Sequence, residues 1–456
     1  MQTQIFMVHK RHLGLRAPTV LAVGFALTIL VGALVLMLPV SAADGQITPF
    51  LDALFTAASA SCVTGLVTVS TAVHWSVFGK CVILLLIQIG GLGFMSVAAI
   101  ASFVLRRTIT LHERMVMSAG LNLSDGGGIV RLTRRVLFGT FIIEGTGAVL
   151  LSCRFVPHYG FPKGITMGVF HAVSAFCNAG FDLMGTPDDP FQSLIGWAED
   201  PLVNITVMAL IVLGGLGFFV WSDVWDKHSF CRLRLHTKIV LTATAGLLLF
   251  GFGWTLLFEW SNPATLGAFD TPHKLLAAAF ESVTLRTAGF NTIDLGALTG
   301  PSQAVSCLLM FIGGSPGSTA GGIKTVTAAV LVLTAISAFC GRTTVSAFGR
   351  TIAPRSIMNA VTLLMAGGVL CLVGACAIAG IEDAPFHQCL FEAVSAFGTV
   401  GVSLGLTPTL AAASRVILFV MMYMGRVGVL SLGVAVFMRR REPPRLKYPD
   451  ADVFIG

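Results

Sequence analysis

Apolar residues along this chain gather into eight long runs, at about residues 18–40, 75–105, 136–156, 201–225, 237–260, 301–340, 357–380 and 412–438. A helix needs about 20 residues to cross the hydrocarbon of a bilayer, so each run predicts one span. Within each successive pair of runs lies a shorter apolar segment, about 10–14 residues of predicted helix followed by a glycine-containing stretch. These segments are too short to cross and too apolar for surface loops. A short helix that dips into the membrane and returns fits them, because non-helical backbone at that depth survives only inside protein or facing a water-filled cavity.

The four short segments are copies of one another. They read Phe55-TAASASCVT-Gly65, Phe170-HAVSAFCNA-Gly180, Phe280-ESVTLRTA-Gly289 and Phe391-EAVSAFGTV-Gly401. Each has a Phe, a Ser or Thr four residues later (Ser59, Ser174, Thr284, Ser395) and then a Gly. The third is one residue shorter. The glycines are 115, 109 and 112 residues apart. A near-constant period marks an internal repeat, dividing the chain at about 1–110, 111–230, 231–350 and 351–456. The predicted fold is an all-α membrane protein of four helix–pore loop–helix repeats. It has eight transmembrane helices and four re-entrant pore loops around a pseudo-fourfold central pore.

Composition agrees. Charged residues are 11% of the chain and hydrophobic ones 55%, against about 25% charged in a typical soluble protein. The net charge of +7 does not indicate nucleic acid. Of 29 Lys and Arg, 21 fall in five places: Lys10 to Arg16, Arg106 to Arg135, Lys227 to Lys238, Arg342 to Arg355 and Arg439 to Lys447. That asymmetry is the positive-inside signal, placing both termini in the cytoplasm with an even number of spans. The basic start and apolar Pro18 to Val40 imitate a secretion signal, but the run is longer than the 7–15 residues usual there and reads as a retained first span. Ten cysteines stand singly with no CxxC, as small hydrophobes do. The tryptophans at 75, 197, 221, 225, 254 and 260 fall near run ends, as an interfacial belt would.

One glycine per repeat, at the end of a short helix, suits a cation site. An ion leaving water needs its hydration shell replaced, and rings of backbone carbonyls do this without a buried charge. Carbonyls turn inward only where the backbone takes dihedrals that glycine adopts easily. The candidate filter is Thr64-Gly65-Leu66, Ala179-Gly180-Phe181, Ala288-Gly289-Phe290 and Val400-Gly401-Val402. Carbonyls of Thr64, Asn178, Thr287 and Thr399 are further candidate potassium ligands. The helices before them should aim the negative ends of their dipoles at the cavity. A single glycine among 50 is better explained by close helix packing. Four at matched positions are not.

These segments resemble the KtrB/TrkH superfamily of potassium-uptake proteins, which includes the plant HKT transporters, and the similarity covers the whole chain. The resemblance implies potassium uptake at the plasma membrane through a filter lined by one glycine per repeat. In that family Ser at the first position is associated with sodium transport, so Gly65 favours potassium. The first span begins near residue 18, without the two extra helices of TrkH-type members, which sits nearer KtrB. The stretch Tyr448-PDADVFI-Gly456 resembles the KtrB tail that meets a second subunit in a homodimer. The resemblance also implies a ring of cytosolic nucleotide-binding regulatory subunits (KtrA-like) and no cofactor beyond the transported potassium or a coupling sodium ion.

Glycine and proline crowd the run at 301–340, in Gly313-Gly314-Ser315-Pro316-Gly317-Ser318-Thr319-Ala320-Gly321-Gly322. At that density a helix breaks, and unwound backbone at the midplane commonly marks a transport site. The nucleotide-binding pattern GxxxxGK[ST] fails here, because Ile323 separates Gly322 from Lys324 and no strand precedes it. The resemblance implies an intramembrane gate formed by Gly313, Gly314, Ser315, Gly317, Ser318, Thr319, Gly321 and Gly322, with Arg426 of the last run contacting it and obstructing the pore. Other charges have plainer readings. Lys324 either serves the loop or snorkels to the interface. Glu144 either meets a nearby polar group or serves the pore. Arg286 points behind the filter, since a cation in the path would repel the cargo. Asp182 and Asn291 lie at the outer mouth, where Asp182 either concentrates cations or is simply solvated. A sodium-selective or sodium-coupled transporter shares nearly all these features. A membrane enzyme does not fit, since there is no HExxH and no His–carboxylate cluster.

Overall fold

The computed structural model describes residues 17–93 and 129–429. The basic N-terminal tail, most of the Arg106 to Arg135 connection and the tail at Tyr448 to Gly456 lie outside the described residues.

Helices follow one order four times over. In the first quarter α1 (Ala17–Leu36) is followed by short α2 (Phe50–Cys62), a glycine turn and α3 (Val77–Leu92). The second runs α4 (Ile129–Tyr159), α5 (Lys163–Phe176), α6 (Pro201–Leu216) and α7 (Phe218–Lys227). The third runs α8 (Leu235–Glu259), α9 (Thr271–Thr284), α10 (Gly300–Phe311) and α11 (Thr325–Phe339). The fourth runs α12 (Pro354–Ile381), α13 (Phe386–Gly398) and α14 (Ala412–Val427). A two-residue-strand hairpin, Ser346–Ala347 with Arg350–Thr351, links α11 to α12.

Local chemistry fixes where several helices start. Asp200 accepts from the amides of Leu202 and Val203 and Pro201 takes the first position of α6. Asp270 accepts from the His273 amide and Pro272 takes the second position of α9, and Ser76 caps α3. Such caps satisfy amides that a helix start leaves open. The outward faces of the long helices are apolar, with Leu257 72%, Phe138 70% and Leu249 70% exposed. Water would penalise such a surface; lipid does not.

The quarters close into a ring. Besides packing within each quarter, α3 packs on α5, α6 on α9, α10 on α13 and α14 on α2. The second helix of each quarter thus flanks the short helix of the next, and the fourth returns to the first. Arg415 of α14 clamps this last seam by pairing with Asp52 of α2 at 2.7 Å.

Two expectations need correction. The second helices of the first, second and fourth quarters end or bend at glycines, as was expected only of the third. Among the described residues four helices are long and apolar enough to cross, and they are the first of each quarter. α6 and α7 meet at a 91° bend, and α3 and α14 end at glycines. The breaking residues are Gly93 (φ 82), Gly217 (φ 94) and Gly428 (φ 90), with ψ of 142, 136 and 128, a region that is essentially glycine's alone. The signal was present as Gly90-Gly91-Leu92-Gly93, Gly214-Gly215-Leu216-Gly217 and Gly425-Arg426-Val427-Gly428. Trp75 is also not in an interfacial belt, being 1% exposed.

The first glycine of each four-residue stretch lets a second helix touch a short one. A Cβ on Gly90, Gly214 or Gly425 would overlap the carbonyl oxygen of Ser61, Phe176 or Phe397 respectively. Gly214→Ala should therefore cost about 1–3 kcal/mol of stability. A clear drop in thermal unfolding temperature in detergent checks this; Gly246→Ala, where the site is open, should change little.

Candidate functional site

The four short helices end together around one point. Their conserved pattern explains their placement: Phe55, Phe170, Phe280 and Phe391 are all buried and anchor them in the core. Two residues before each glycine the backbone turns left-handed, at Val63 (φ 57), Asn178 (φ 58), Thr287 (φ 69) and Thr399 (φ 53). The glycines have φ of 95, 68, 85 and 93 at positions 65, 180, 289 and 401. The residues between are Thr64, Ala179, Ala288 and Val400, so Thr64 does not correspond to Asn178, Thr287 and Thr399. Val63 does.

The glycines form a closed ring against one another's carbonyls. A Cβ on Gly65 would lie 2.5 Å from the Ala179 oxygen. One on Gly180 would lie 2.8 Å from the Ala288 oxygen, and one on Gly289 2.7 Å from the Val400 oxygen. One on Gly401 would overlap the Thr64 oxygen. Each repeat thus presents the carbonyl before its glycine to the glycine of the preceding repeat. The C-termini of α2, α5, α9 and α13 lie within a few residues of the ring, adding partial negative charge.

The Ser or Thr four residues after each Phe holds this backbone. Ser59 Oγ accepts from the Gly65 amide at 3.0 Å. Ser174 Oγ donates to the Phe181 carbonyl at 2.7 Å, and the Thr284 hydroxyl donates to that of Phe290. Ser395 does both, accepting from Gly401 N at 3.1 Å and donating to Val402 O at 2.6 Å. Ser395→Ala should leave a buried amide and carbonyl unpaired, at about 1–3 kcal/mol per group. A lower unfolding temperature in detergent, largely restored in Ser395→Thr, is the expected result.

On one side the ring opens into a cavity of about 410 Å³, lined by the four glycines together with Asp182, Asp189, Asp294 and Asn291. Asp182 and Asn291 therefore do lie at a mouth. On the other side runs the segment between α10 and α11. Its Ser315 amide donates to Gly215 O at 3.0 Å and its Thr319 amide to Gly214 O at 3.3 Å, while Gly317 O accepts from Phe218 N at 2.9 Å. The Thr319 hydroxyl donates to Phe176 O at 3.2 Å and lies 3.3 Å from the Asn178 amide. Gly321 leaves no room for a Cβ beside the Thr399 hydroxyl, and a Cβ on Gly322 would lie 3.1 Å from Gly398 Cα. Gly313 O and Gly314 O receive the hydroxyl and amide of Thr325 at 2.8 and 3.0 Å. The Ser318 hydroxyl donates back to Ser315 O at 2.7 Å. The loop is thus wedged between the second and fourth quarters, directly against the residues before the ring.

Arg426 ties the loop to the first quarter. It donates to Thr319 O, to Gly90 O and, at 3.3 Å, to Gly91 O. In the repeated four-residue stretch it takes the position of Gly91 and Gly215, a substitution that places a charge at a point where its equivalents have no side chain. Lys324 donates to Ala320 O at 2.7 Å and so serves the loop instead of snorkelling. Arg286 donates to the Thr325 hydroxyl at 3.1 Å, bracing the loop's exit. Glu144 accepts from Gln88 at 3.2 Å and lies within 3.8 Å of the Cys177 thiol.

The stretch matched to known proteins contains this site. The family model for TrkH, described as a cation transport protein, matches residues 10–442. The Ktr system potassium uptake protein B of Bacillus subtilis (strain 168) is 42% identical over 96% of each chain. The potassium/sodium uptake protein NtpJ of Enterococcus hirae is 40% identical over 96% of each. Among solved structures, the potassium transporter TrkH of Vibrio parahaemolyticus superposes with a TM-score of 0.70 at 16% identity, covering 94% of this chain and 86% of that one, which establishes likeness of fold.

Proposed function

This chain belongs to the TrkH family of cation transport proteins, a family of multi-pass membrane proteins, and on that premise we propose that it takes up potassium ions through the ring of four glycines. The observation that carries the proposal is the ring itself. Carbonyls of Thr64, Ala179, Ala288 and Val400, each set against a glycine of the neighbouring repeat, supply oxygen donors from four sides of one axis without a formal charge. Such a ring can replace the water around a weakly hydrated cation. The hydroxyls of Thr64 and Thr399 are buried with no hydrogen-bond partner among the described residues, consistent with extra oxygen donors for an ion. The acidic mouth raises the local cation concentration.

Inward movement is driven by the membrane potential, worth about 2.3 kcal/mol per charge per 100 mV. The loop from Gly313 to Gly322 and Arg426 form the gate below the ring. The loop blocks the path sterically, and the guanidinium repels an arriving cation. Positive charge in the connections orients both termini to the cytoplasm at the plasma membrane, and the same basic connections offer a docking face for nucleotide-binding regulatory subunits like those of Ktr systems. The tail from Tyr448 to Gly456 joins two copies in a homodimer.

Sodium is the second reading, favoured by the name of the enterococcal relative, a potassium/sodium uptake protein. Gly65 argues for potassium. The test is flux into vesicles holding purified protein, with each ion competing against the other. Potassium uptake resisting a tenfold excess of sodium (about 1.4 kcal/mol of selectivity) supports the proposal; equal competition supports the second reading.

A further inference from the structure

A helix that ends leaves its last carbonyls open, and a helix that starts leaves its first amides open. The break at Gly217 creates both at one point, because α6 ends there and α7 begins, turned by 91°. Inside a membrane protein such groups need partners from the protein itself. The loop between α10 and α11 supplies most of them. Gly214 O receives the Thr319 amide at 3.3 Å and Gly215 O the Ser315 amide at 3.0 Å, while the Phe218 amide donates to Gly317 O at 2.9 Å. Leu213 O receives the Trp221 indole N–H at 3.1 Å. The fit is close, since a Cβ on Gly217 would lie 2.8 Å from Pro316 O.

In an unbroken α-helix each amide donates to the carbonyl four residues earlier. Phe218 would then donate to Gly214, Phe219 to Gly215 and Gly217 to Leu213. Every group of the elbow that now relies on the loop or on Trp221 would thus find its partner within the helix. Straightening exchanges these bonds instead of losing them, and no proline after Pro201 forbids it before Lys227. Arg426 exploits the same kind of open carbonyl in the first quarter, where it takes Gly90 O and Gly91 O, the counterparts of Gly214 and Gly215.

Taking the loop as the gate, we propose that the α6–α7 elbow is its two-state switch. Bent, the elbow holds the loop in the path; straight, it pairs with itself and releases the loop. Two packings with similar numbers of hydrogen bonds make a bistable element. The bent form is also latched at its far end. Asp223 of α7 accepts from the Arg234 amide at 2.8 Å and the Thr237 hydroxyl at 2.7 Å, tying α7 to the start of α8. Between these elements runs the basic connection that a regulator would grip. A partner that draws this connection away from α7 frees Asp223 and favours the straight form.

The distance from Ile205 to Trp225, 57% and 76% exposed, reads the switch. It is about 22 Å across a right-angled elbow and about 30 Å along a straight helix. Spin labels on unnatural amino acids at both positions measure it with the ten cysteines left in place, in full-length protein diluted with unlabelled copies. Native protein without a regulator should show the short distance. Gly217→Ala penalises the bent backbone at φ 94 and ψ 136. It should populate the long distance and raise unregulated potassium flux about fivefold or more. Deleting Ser315 to Ala320 removes the elbow's partners, so the long distance should dominate there too. If Gly217→Ala does not fold, Asp223→Ala should give the same shift. Raised flux in the deletion variant with the short distance unmoved would keep the gate and overturn the switch. The long distance with unchanged flux would support the exchange and remove the loop from the path. Native protein already at the long distance, or folded Gly217→Ala still at the short one, would overturn the switch as well.

Discussion

Alanine at Gly401 should reduce potassium uptake at least tenfold while leaving a protein that still folds and reaches the membrane. The added Cβ overlaps the Thr64 carbonyl oxygen and lies 2.9 Å from Gly65 Cα, both in the adjoining repeat, so relief requires the ring to open. Overpacking of this kind costs about 1–3 kcal/mol. The backbone at φ 93 adds about 1–2 kcal/mol for a residue that is not glycine. Each 1.4 kcal/mol withdrawn from ion stabilisation is about tenfold. Gly65→Ser acts on the same ring, where its Cβ lies 2.5 Å from the Ala179 oxygen and 3.1 Å from Gly180 Cα. It should chiefly lower the potassium-to-sodium ratio, because it distorts one quarter of the coordination. Rubidium uptake by cells lacking their own potassium uptake, normalised to protein in the membrane, reads both variants. Native-like uptake by Gly401→Ala would remove the ring from the transport path.

Loss of Arg426 should raise potassium flux through protein that has no regulatory partner. The guanidinium offers five donors and no acceptor, and here it joins the loop at Thr319 to the first quarter at Gly90 and Gly91. In Arg426→Ala the loop loses its strongest tether to the fourth quarter, and the path loses a positive charge. Charge-assisted hydrogen bonds contribute about 1.5–3 kcal/mol each, so an increase of about tenfold or more is expected. Deleting Ser315 to Ala320 should act in the same direction by removing the obstruction. The two changes together should give less than the product of their separate effects, since they dismantle one barrier. Flux into vesicles from single and double variants measures this. A well-folded deletion variant with unchanged flux would put the barrier elsewhere.

Much of this site could be read along the chain because repetition singles out residues that composition cannot. Four copies of Phe-x-x-x-Ser/Thr leading to Gly identified the short helices and the ring glycines. The Ser and Thr in that pattern were visible without their purpose, since clamping a carbonyl seven residues away depends on a left-handed turn in between. Those turns sit on Val63, Asn178, Thr287 and Thr399, and of these only Asn favours a left-handed backbone, so the register of Thr64 was misread. The bend at Gly217 was missed for a related reason. Hydropathy runs continuously through Gly214 to Phe219, whereas only the third repeat carries enough glycine and proline to interrupt it. Aligning the four-residue stretches Gly90 to Gly93, Gly214 to Gly217 and Gly425 to Gly428 would have exposed both the breaks and Arg426 as the odd member.

Anomalous diffraction from crystals of the native protein soaked in rubidium addresses the central claim most directly. Rubidium replaces potassium at carbonyl sites and scatters strongly enough to be located alone. A peak on the axis, enclosed by the carbonyl oxygens of Thr64, Ala179, Ala288 and Val400 and displaced by excess potassium but not by sodium, is the predicted result. No peak at the ring, in crystals of protein that transports rubidium in vesicles, would contradict the account.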